Sequence, residues 1–227
     1  MISLELKNVW YRYPSSRNWV LRDVSIDLSN DSSIIVLGPN GAGKSTLMKI
    51  VALLYRPTKG EVLVNKSYYW RLSPSDRIEI KRRVVYVHEK PILFSGTVLD
   101  NILYGLRIRG IDDKTGREKA IELLRLVGLE DLAKRRVSEL SAGQSQIVSI
   151  VRALIIEPAL LLLDEPFAYL DKDKRTLLIK ILREYKENKR VRYIISLHEE
   201  SLIPRIQPDR VITIKDGRID EETRLKT

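Results

Sequence analysis

The segment that most constrains the fold runs from Gly38 to Ser45 and reads G-P-N-G-A-G-K-S. Glycines at this spacing let backbone N–H groups close around phosphate oxygens, while Lys44 adds a positive charge and the Ser45 hydroxyl suits Mg²⁺. Residues 33–37 are apolar and β-branched, which predicts a buried strand, and residues 46–54 predict a helix whose N-terminus faces the phosphates. A chance glycine-rich turn would not combine these three features, so the segment predicts a nucleoside triphosphate site.

Composition removes several other classes of site. The chain has 227 residues, no cysteine and two histidines, which excludes a disulfide framework, thiol catalysis and Cys-ligated metals and disfavours a His-rich metal site. Residues 1–7 alternate apolar and polar side chains, which predicts a strand rather than a signal peptide. No apolar stretch approaches membrane-spanning length, so we expect a soluble chain whose membrane role, if it has one, needs a partner. After Gly217 we expect no room for a further regulatory domain.

The net charge of +10 allows three interpretations: nucleic-acid binding, contact with anionic lipid, or a solvated basic surface. The basic residues do not form one tract. Lys134, Arg135 and Arg136, for example, closely follow Glu130 and Asp131. Interleaved signs favour solvated helix faces, and we expect no nucleic-acid binding.

The order of apolar segments predicts a parallel α/β sheet interrupted by a helical region. The stretch 98–156 has largely helical spacing, and the region from about residue 91 to residue 155 is therefore interpreted as an insertion into that sheet. Near the N-terminus the pattern predicts short strands at 4–6, 9–13 and 24–28, broken after Tyr13 by Pro14. The remaining short strands are predicted at 61–64, 84–87, 160–163, 193–197 and 211–214, and a helix at 74–83.

The apolar run Leu160–Leu163 ends in two carboxylates, Asp164 and Glu165. A buried parallel strand would deliver both at its carboxyl end, beside the phosphate loop, where such sheets bind ligands. There Asp164 can hold Mg²⁺ through water, and Glu165 can polarise an attacking water. The alternative is an ordinary strand end before Pro166, which the upstream phosphate loop makes the weaker interpretation.

Between the two motifs lies Leu140-Ser141-Ala142-Gly143-Gln144. With this order of phosphate loop, helical insert, LSAGQ, LLLLDEP and a late strand ending in His198, the chain resembles the nucleotide-binding ATPase subunits of ABC transporters over essentially its whole length. The resemblance implies a P-loop NTPase parallel-sheet core with an N-terminal antiparallel β subdomain and an inserted α-helical subdomain. It implies one ATPase domain, with the nucleotide-binding core at 1–90 and 156–227 and the helical subdomain at 91–155.

The resemblance also implies a role for individual residues, with ATP and Mg²⁺ as cofactors. Tyr13 matches the aromatic residue that stacks on adenine, with Tyr11 as the fallback, although either ring can equally pack on a strand face. Ser141, Gly143 and Gln144 match the signature that reaches a partner's γ-phosphate, and Ser141 is also a natural N-cap. Asp171 matches the loop that contacts the opposite protomer. The implied catalytic residues are Glu165, His198 and Lys44; the other implied nucleotide contacts are Gly38, Asn40, Gly41, Gly43, Ser45 and Thr46; the implied metal ligands are Ser45, Asp164 and Glu89.

Three positions depart from the family pattern. Glu89 stands where the family usually has glutamine, which would add a carboxylate near the phosphates, and we expect an altered Mg²⁺ or ATP dependence. Ala168 replaces a common serine, and Ser145-Gln146 follows LSAGQ where Q-R is frequent. The catalytic set is complete, so an active ATPase is expected, with a degenerate regulatory site as the alternative.

The resemblance further implies partners. Two ATPase subunits, identical or different, would sandwich two ATP molecules and drive transmembrane permease subunits at the cytoplasmic side of the cell membrane, for a cargo that the sequence does not identify. The helical insert and residues 89–106 would form the docking surface, with 91–94 as apolar contacts that could equally be core. The alternative function is a soluble ABC-type ATPase of an iron–sulfur assembly scaffold or a nucleic-acid machine.

Overall fold

The structure, a computed structural model, describes residues 2–225. Its strands are β1 (Leu4–Tyr11), β2 (Leu21–Asp27), β3 (Ser33–Leu37), β4 (Lys59–Val64), β5 (Ser67–Tyr68), β6 (Val84–Val87), β7 (Leu160–Asp164), β8 (Arg192–Leu197), β9 (Arg210–Lys215) and β10 (Arg218–Arg224). Its helices are α1 (Lys44–Val51), α2 (Pro74–Arg82), α3 (Val98–Arg107), α4 (Asp113–Leu126), α5 (Ala142–Leu154), α6 (Lys172–Asn188) and α7 (Ile203–Ile206).

The larger sheet has the order β10-β9-β3-β8-β7-β6 within the described residues. Strands β9, β3, β8, β7 and β6 run parallel, and β10 pairs antiparallel with β9 at the edge. Every residue of β3, β7 and β8 is buried, as expected for parallel strands covered on both faces. The predicted parallel core is confirmed, and its central strands all end on the side of the phosphate loop.

The smaller sheet is antiparallel at its centre, with the order β2-β1-β4-β5 in the part of the chain that the structure describes. This confirms the predicted N-terminal antiparallel unit. The prediction of two separate strands at 4–6 and 9–13 was wrong, because β1 is one strand with a local irregularity. At that point Asn8 has a φ of 47° and its N–H bonds to the Ser25 hydroxyl instead of continuing the ladder.

The predicted helical insertion consists of α3, α4 and α5. Each of these helices begins with a side-chain cap, from Thr97, Asp112 and Ser141 respectively, which accepts backbone N–H groups of the first turn. Their apolar faces pack together in the core on one side of the large sheet, whereas α1 and the antiparallel sheet share the core on the other side. The bounds 91–155 for a helical subdomain stay a prediction.

Two buried arginines join the sheets. Arg192 on β8 donates to backbone carbonyls of Ile2, Leu28 and Asp31, and Arg210 on β9 donates to the Asp27 carbonyl. These charge-assisted bonds fix the antiparallel sheet against the start of β8 and β9, at the end of the sheet opposite to the phosphate loop.

Candidate nucleotide site

The phosphate loop joins the end of β3 to the first turn of α1. The Lys44 side chain is 6% exposed, and its Nζ donates to the carbonyl oxygens of Gly38 at 2.8 Å and Pro39 at 3.3 Å, which holds the ammonium inside the loop. Gly38 must be glycine, since a Cβ there would lie 2.3 Å from the Ile214 carbonyl oxygen. The first turn of α1 has no side-chain cap, so its N–H groups remain for an anion.

A cavity of about 280 Å³ opens at this loop. It is lined by Val20, Asn40, Gly41, Gly43, Lys44, Ser45, Thr46, Glu89 and Glu165. Six of the twelve nucleotide contacts expected from the sequence, together with Glu89 and Glu165, therefore face one space. Its mixture of one ammonium, free helix N–H groups and hydroxyls suits phosphate oxygens.

The two carboxylates lie at the end of β7. Asp164 is 3% exposed, and both of its oxygens accept hydrogen bonds from hydroxyl groups: Tyr86 at 2.6 Å and Ser196 at 2.5 Å. Burial, followed by the hydrogen bond to Asp164, raises the pKa of Tyr86 far above its usual value, so this phenol stays a donor.

Glu165 connects the phosphate loop to His198. Its Oε1 lies 3.3 Å from Lys44 Nζ, an ion pair without a well-directed hydrogen bond, because the ammonium points its protons at the loop carbonyls. Its Oε2 lies 2.9 Å from His198 Nδ1. His198 follows β8 directly, and its half-exposed imidazole contacts Glu165 without lining the cavity.

Sequence reasoning missed Tyr86 and Ser196. Ser196 is the only hydroxyl in the apolar run 194–197, and the parallel register places it opposite Asp164. That lone polar residue was an available signal. Tyr86 gave no signal, since aromatic side chains are ordinary in a strand and its hydroxyl contact depends on the tertiary position of β6.

Tyr13 lies just after β1, at the rim of the phosphate loop. Its hydroxyl bonds to the Thr46 hydroxyl at 3.0 Å, and its ring packs edge-on against Tyr11 at 5.3 Å between centroids. Tyr11 is buried and stacks on Tyr55, so it has no free face for a base and the fallback assignment does not fit. The stacking role of Tyr13 stays a prediction.

The LSAGQ segment lies outside the cavity of its own phosphate loop. Ser141 caps α5 through the Gln144 N–H, and the Gln144 side chain accepts the Ser141 N–H, a reciprocal capping box. Gly143 packs against the chain before α6, where a Cβ would lie 2.8 Å from the Tyr169 carbonyl oxygen. Asp171 caps α6, and its hydrogen bonds to the Lys174 side chain and N–H lower its pKa. Ser141, Ala142 and Asp171 are exposed and Gln144 is partly buried, whereas Gly143 is buried.

An apolar groove of about 270 Å³ lies between β6 and the helices α3 and α5. Phe94, Tyr104 and Ile108 line it and are roughly half exposed. Arg152 lines the same groove. Its guanidinium donates to the Ile92 carbonyl at 2.7 Å and lies 5.3 Å from the centroid of the Phe94 ring. Within the predicted stretch 91–94, Ile92 and Phe94 are exposed, whereas Leu93 packs on the core.

The sequence model of the ABC transporter family matches residues 21–168, from the start of β2 to just after the two carboxylates. The chain belongs to the ABC transporter family. The match covers both the phosphate loop and the LSAGQ segment, so the motifs and the fold lead to the same family.

Relatives among ABC transporter proteins cover nearly the whole chain. The methionine import ATP-binding protein MetN of Staphylococcus saprophyticus is 36% identical over 99% of this chain and 66% of its own length. The phosphonates import ATP-binding protein PhnC of Treponema denticola is 32% identical over 95% of this chain and 87% of its own. The sulfate/thiosulfate import ATP-binding protein CysA of Escherichia coli is 34% identical, and the chain spans only 60% of its length.

Solved ABC cassettes share the fold. The ATP-binding cassette MJ0796, in a dimeric post-hydrolysis state bound to ADP and Pi, superposes with a TM-score of 0.87 at 27% identity and 99% coverage of both chains. CbiO1 from Clostridium perfringens, part of the transporter complex CbiONQ, gives 0.82 at 26% identity, over 97% of this chain and 88% of that one. The fold is that of an ATP-binding cassette.

Two further observations bear on this ABC cassette. Among residues 2–225, no helix is both long and apolar enough to cross a membrane. Over the same residues, no group of three or more His, Asp or Glu side chains could hold a metal ion by itself.

Proposed function

We propose that this chain binds and hydrolyses ATP as one of two ATPase subunits that drive a membrane import system. The observation that carries the proposal is the contact series Lys44–Glu165–His198, at 3.3 and 2.9 Å, beside the cavity of the phosphate loop. Import as the direction rests on the relatives, whose names describe import ATP-binding proteins.

Binding of ATP follows from the loop. The β- and γ-phosphates would accept hydrogen bonds from N–H groups of the first turn of α1 and from the Lys44 ammonium. The Gly38 carbonyl already holds this ammonium in the loop. The bond between the Tyr13 and Thr46 hydroxyls keeps the Tyr13 ring next to the phosphate end of the site, on the side where the base would stack.

Hydrolysis needs a group that orients and deprotonates water in line with the γ-phosphate. Glu165 would take this role, because its carboxylate reaches from the strand end to the ammonium that would bind the phosphates. His198 holds the other carboxylate oxygen and limits its rotation. Ser45 and Glu89 line the cavity, and the buried Asp164 directly precedes Glu165, which also lines it. Their hydroxyl and carboxylate oxygens would suit Mg²⁺, which when bound would neutralise charge on the phosphates.

The pairing of two subunits explains the position of the LSAGQ segment. The capped N-terminus of α5 lies on the surface and outside its own cavity, so Ser141 and Gly143 would contact ATP held by a second ATPase chain. Asp171, exposed at the start of α6, would contact the same partner. Dimeric relatives of the same fold support this arrangement.

The apolar groove is the proposed docking surface for a transmembrane permease subunit, which would place the chain at the cytoplasmic side of the membrane. Phe94 and Ile92 project from the segment that directly follows Glu89, a residue of the nucleotide cavity. Movement at the groove would therefore reach the nucleotide through five residues of chain.

The test combines ATP hydrolysis by the purified chain with a tagged pull-down from detergent-solubilised membranes. We expect hydrolysis that needs Mg²⁺, and stoichiometric recovery of a polytopic membrane protein. Phe94→Ala should lose the membrane protein and keep basal hydrolysis, while Tyr68→Ala, an equally exposed aromatic on β5, should lose neither. Hydrolysis with soluble partners only would favour the iron–sulfur scaffold or nucleic-acid alternative, and absence of ATP binding would refute the proposal.

A further inference from the structure

The Ser196 hydroxyl lies between the two adjacent carboxylate residues and contacts both. It donates to Asp164 Oδ1 at 2.5 Å and accepts the backbone N–H of Glu165 at 2.9 Å. Ser196 is fully buried on β8, whose register places it directly opposite Asp164 on β7. A serine hydroxyl has one proton to donate, so its donor is committed to Asp164 while a lone pair serves Glu165.

The second oxygen of Asp164 is held from the other neighbouring strand. Tyr86 on β6 donates its hydroxyl to Asp164 Oδ2 at 2.6 Å. Strands β6 and β8 lie on opposite sides of β7, so the carboxylate is bonded from both sides of its own strand. Rotation of the Asp164 carboxylate would break at least one of these two hydrogen bonds. The two bonds therefore keep the remaining lone pairs of the carboxylate in one orientation.

The backbone of Glu165 is the other half of the arrangement. Glu165 has a φ of 45°, a left-handed conformation that a residue with a Cβ adopts at an energetic cost. The bond from its N–H to Ser196 helps to hold this turn, and the turn aims the Glu165 side chain at Lys44 and His198. The Ser196 hydroxyl therefore contacts both the Asp164 carboxylate and the backbone turn that orients the Glu165 carboxylate.

We propose that Ser196, assisted by Tyr86, is a positioning residue that fixes the Asp164 carboxylate and the Glu165 turn relative to each other. The inference rests on the proposed function, because it assigns Asp164 and Glu165 to the metal and the water of ATP hydrolysis. Neither Ser196 nor Tyr86 lines the nucleotide cavity. Both act through the carboxylates.

The test compares Ser196→Ala, Ser196→Thr and Tyr86→Phe in the full chain. Binding of Mn²⁺ in the presence of ADP is measured by electron paramagnetic resonance, binding of metal-free ATP by competition with a fluorescent nucleotide, and hydrolysis as separate kcat and KM values. Ser33→Ala is the matched control: Ser33 is also fully buried, accepts bonds from Lys186 and the Asp209 N–H, and lies at the opposite end of the sheet.

Ser196→Ala is expected to weaken Mn²⁺ binding about tenfold and to lower kcat by at least as much, since partners that orient a metal ligand typically have effects of this size. Tyr86→Phe should act in the same direction, and Ser196→Thr should restore most of both properties. Metal-free ATP binding should stay within about twofold, because the loop and Lys44 are unchanged.

Equal Mn²⁺ affinity in Ser196→Ala and Ser33→Ala, or failure of Ser196→Thr to restore a loss, would overturn the inference. If Ser196→Ala does not fold, Tyr86→Phe decides by the same two measurements. If the wild-type chain binds Mn²⁺ and ADP but does not hydrolyse ATP, the proposed function fails while the metal measurements still test the positioning role.

Discussion

Lys44 Nζ lies 3.3 Å from Glu165 Oε1, which joins the phosphate loop to the carboxylate at the end of β7 through a largely buried ion pair. ATP phosphates that enter the loop would compete with Glu165 for the same ammonium. The Glu165 carboxylate would then become available for water. The pair therefore links phosphate binding to preparation of the group that we propose as the catalytic base.

Replacement of Glu165 by glutamine tests this link. The amide cannot accept a proton from water and has no charge to attract Lys44, so we expect kcat for ATP hydrolysis to fall by at least about 100-fold. Affinity for ATP should stay equal or rise, because the phosphates no longer compete with a carboxylate. Single-turnover hydrolysis and equilibrium ATP binding are the measurements, and a loss of binding equal to the loss of rate would contradict the assignment.

Glu89 is a second carboxylate in the same cavity as Lys44 and Ser45. Glu89→Gln removes one negative charge near the phosphates and replaces a charged carboxylate ligand with a neutral amide. We therefore expect the Mg²⁺ concentration for half-maximal hydrolysis to change severalfold. Glu79→Gln, on the exposed face of α2 outside the cavity, is the matched control. Superimposable Mg²⁺ activation curves for Glu89→Gln and the wild type would show that Glu89 has no part in metal use.

Much of the fold could be predicted from the sequence because its parallel strands are short apolar runs, and such runs are typical of buried strands. Strand 84–87 was predicted with its exact bounds, and the carboxylates after Leu163 were placed correctly at the end of β7. The predicted break within β1 failed for a tertiary reason. The Ser25 hydroxyl on β2 accommodates the irregular turn at Asn8, so the strand continues through it.

The candidate site could be predicted only where a motif recurs at fixed spacing. Lys44, Glu165 and His198 were found because their neighbours in sequence identify them. The bonds from Tyr86 and Ser196 to Asp164 depend on which strands flank β7, and this order is set by the topology β8-β7-β6 rather than by any local pattern.

Ser141 combines a structural and a proposed functional role, and the two can be separated. Ser141→Ala removes the cap of α5, which we expect to lower the free energy of unfolding by about 1 kcal/mol. Ser73→Ala removes the equivalent cap of α2, where the Ser73 hydroxyl accepts the Asp76 N–H. If Ser141 also contacts the partner's ATP, only its variant should lose most of the hydrolysis rate. Equal rates of ATP hydrolysis for the two variants would show that Ser141 acts only as a helix cap.

Asp209 ties the amino end of the sheet to α6 and should make stability depend on pH. Burial by itself would raise the pKa of Asp209, but hydrogen bonds from Lys186 and from the backbone N–H groups of Ser32 and Ser33 outweigh it and hold the pKa below its usual value. A carboxyl whose pKa is lower in the folded state stabilises the fold above its unfolded pKa, and this contribution is lost as pH falls through the folded pKa.

We therefore expect Asp209→Asn to lower the free energy of unfolding by about 1–3 kcal/mol near neutral pH, since it weakens a charged hydrogen-bonded pair. The difference from the wild type should shrink as the pH falls below about 4, the ordinary range of an aspartate. The measurement is urea unfolding of the wild type and Asp209→Asn between pH 3 and 7, with about one titration per pH unit. Asp131→Asn, at an exposed carboxylate, should show little difference at any pH. A difference for Asp209→Asn that stays constant down to about pH 3 would mean that the carboxylate charge is not what stabilises this end of the sheet.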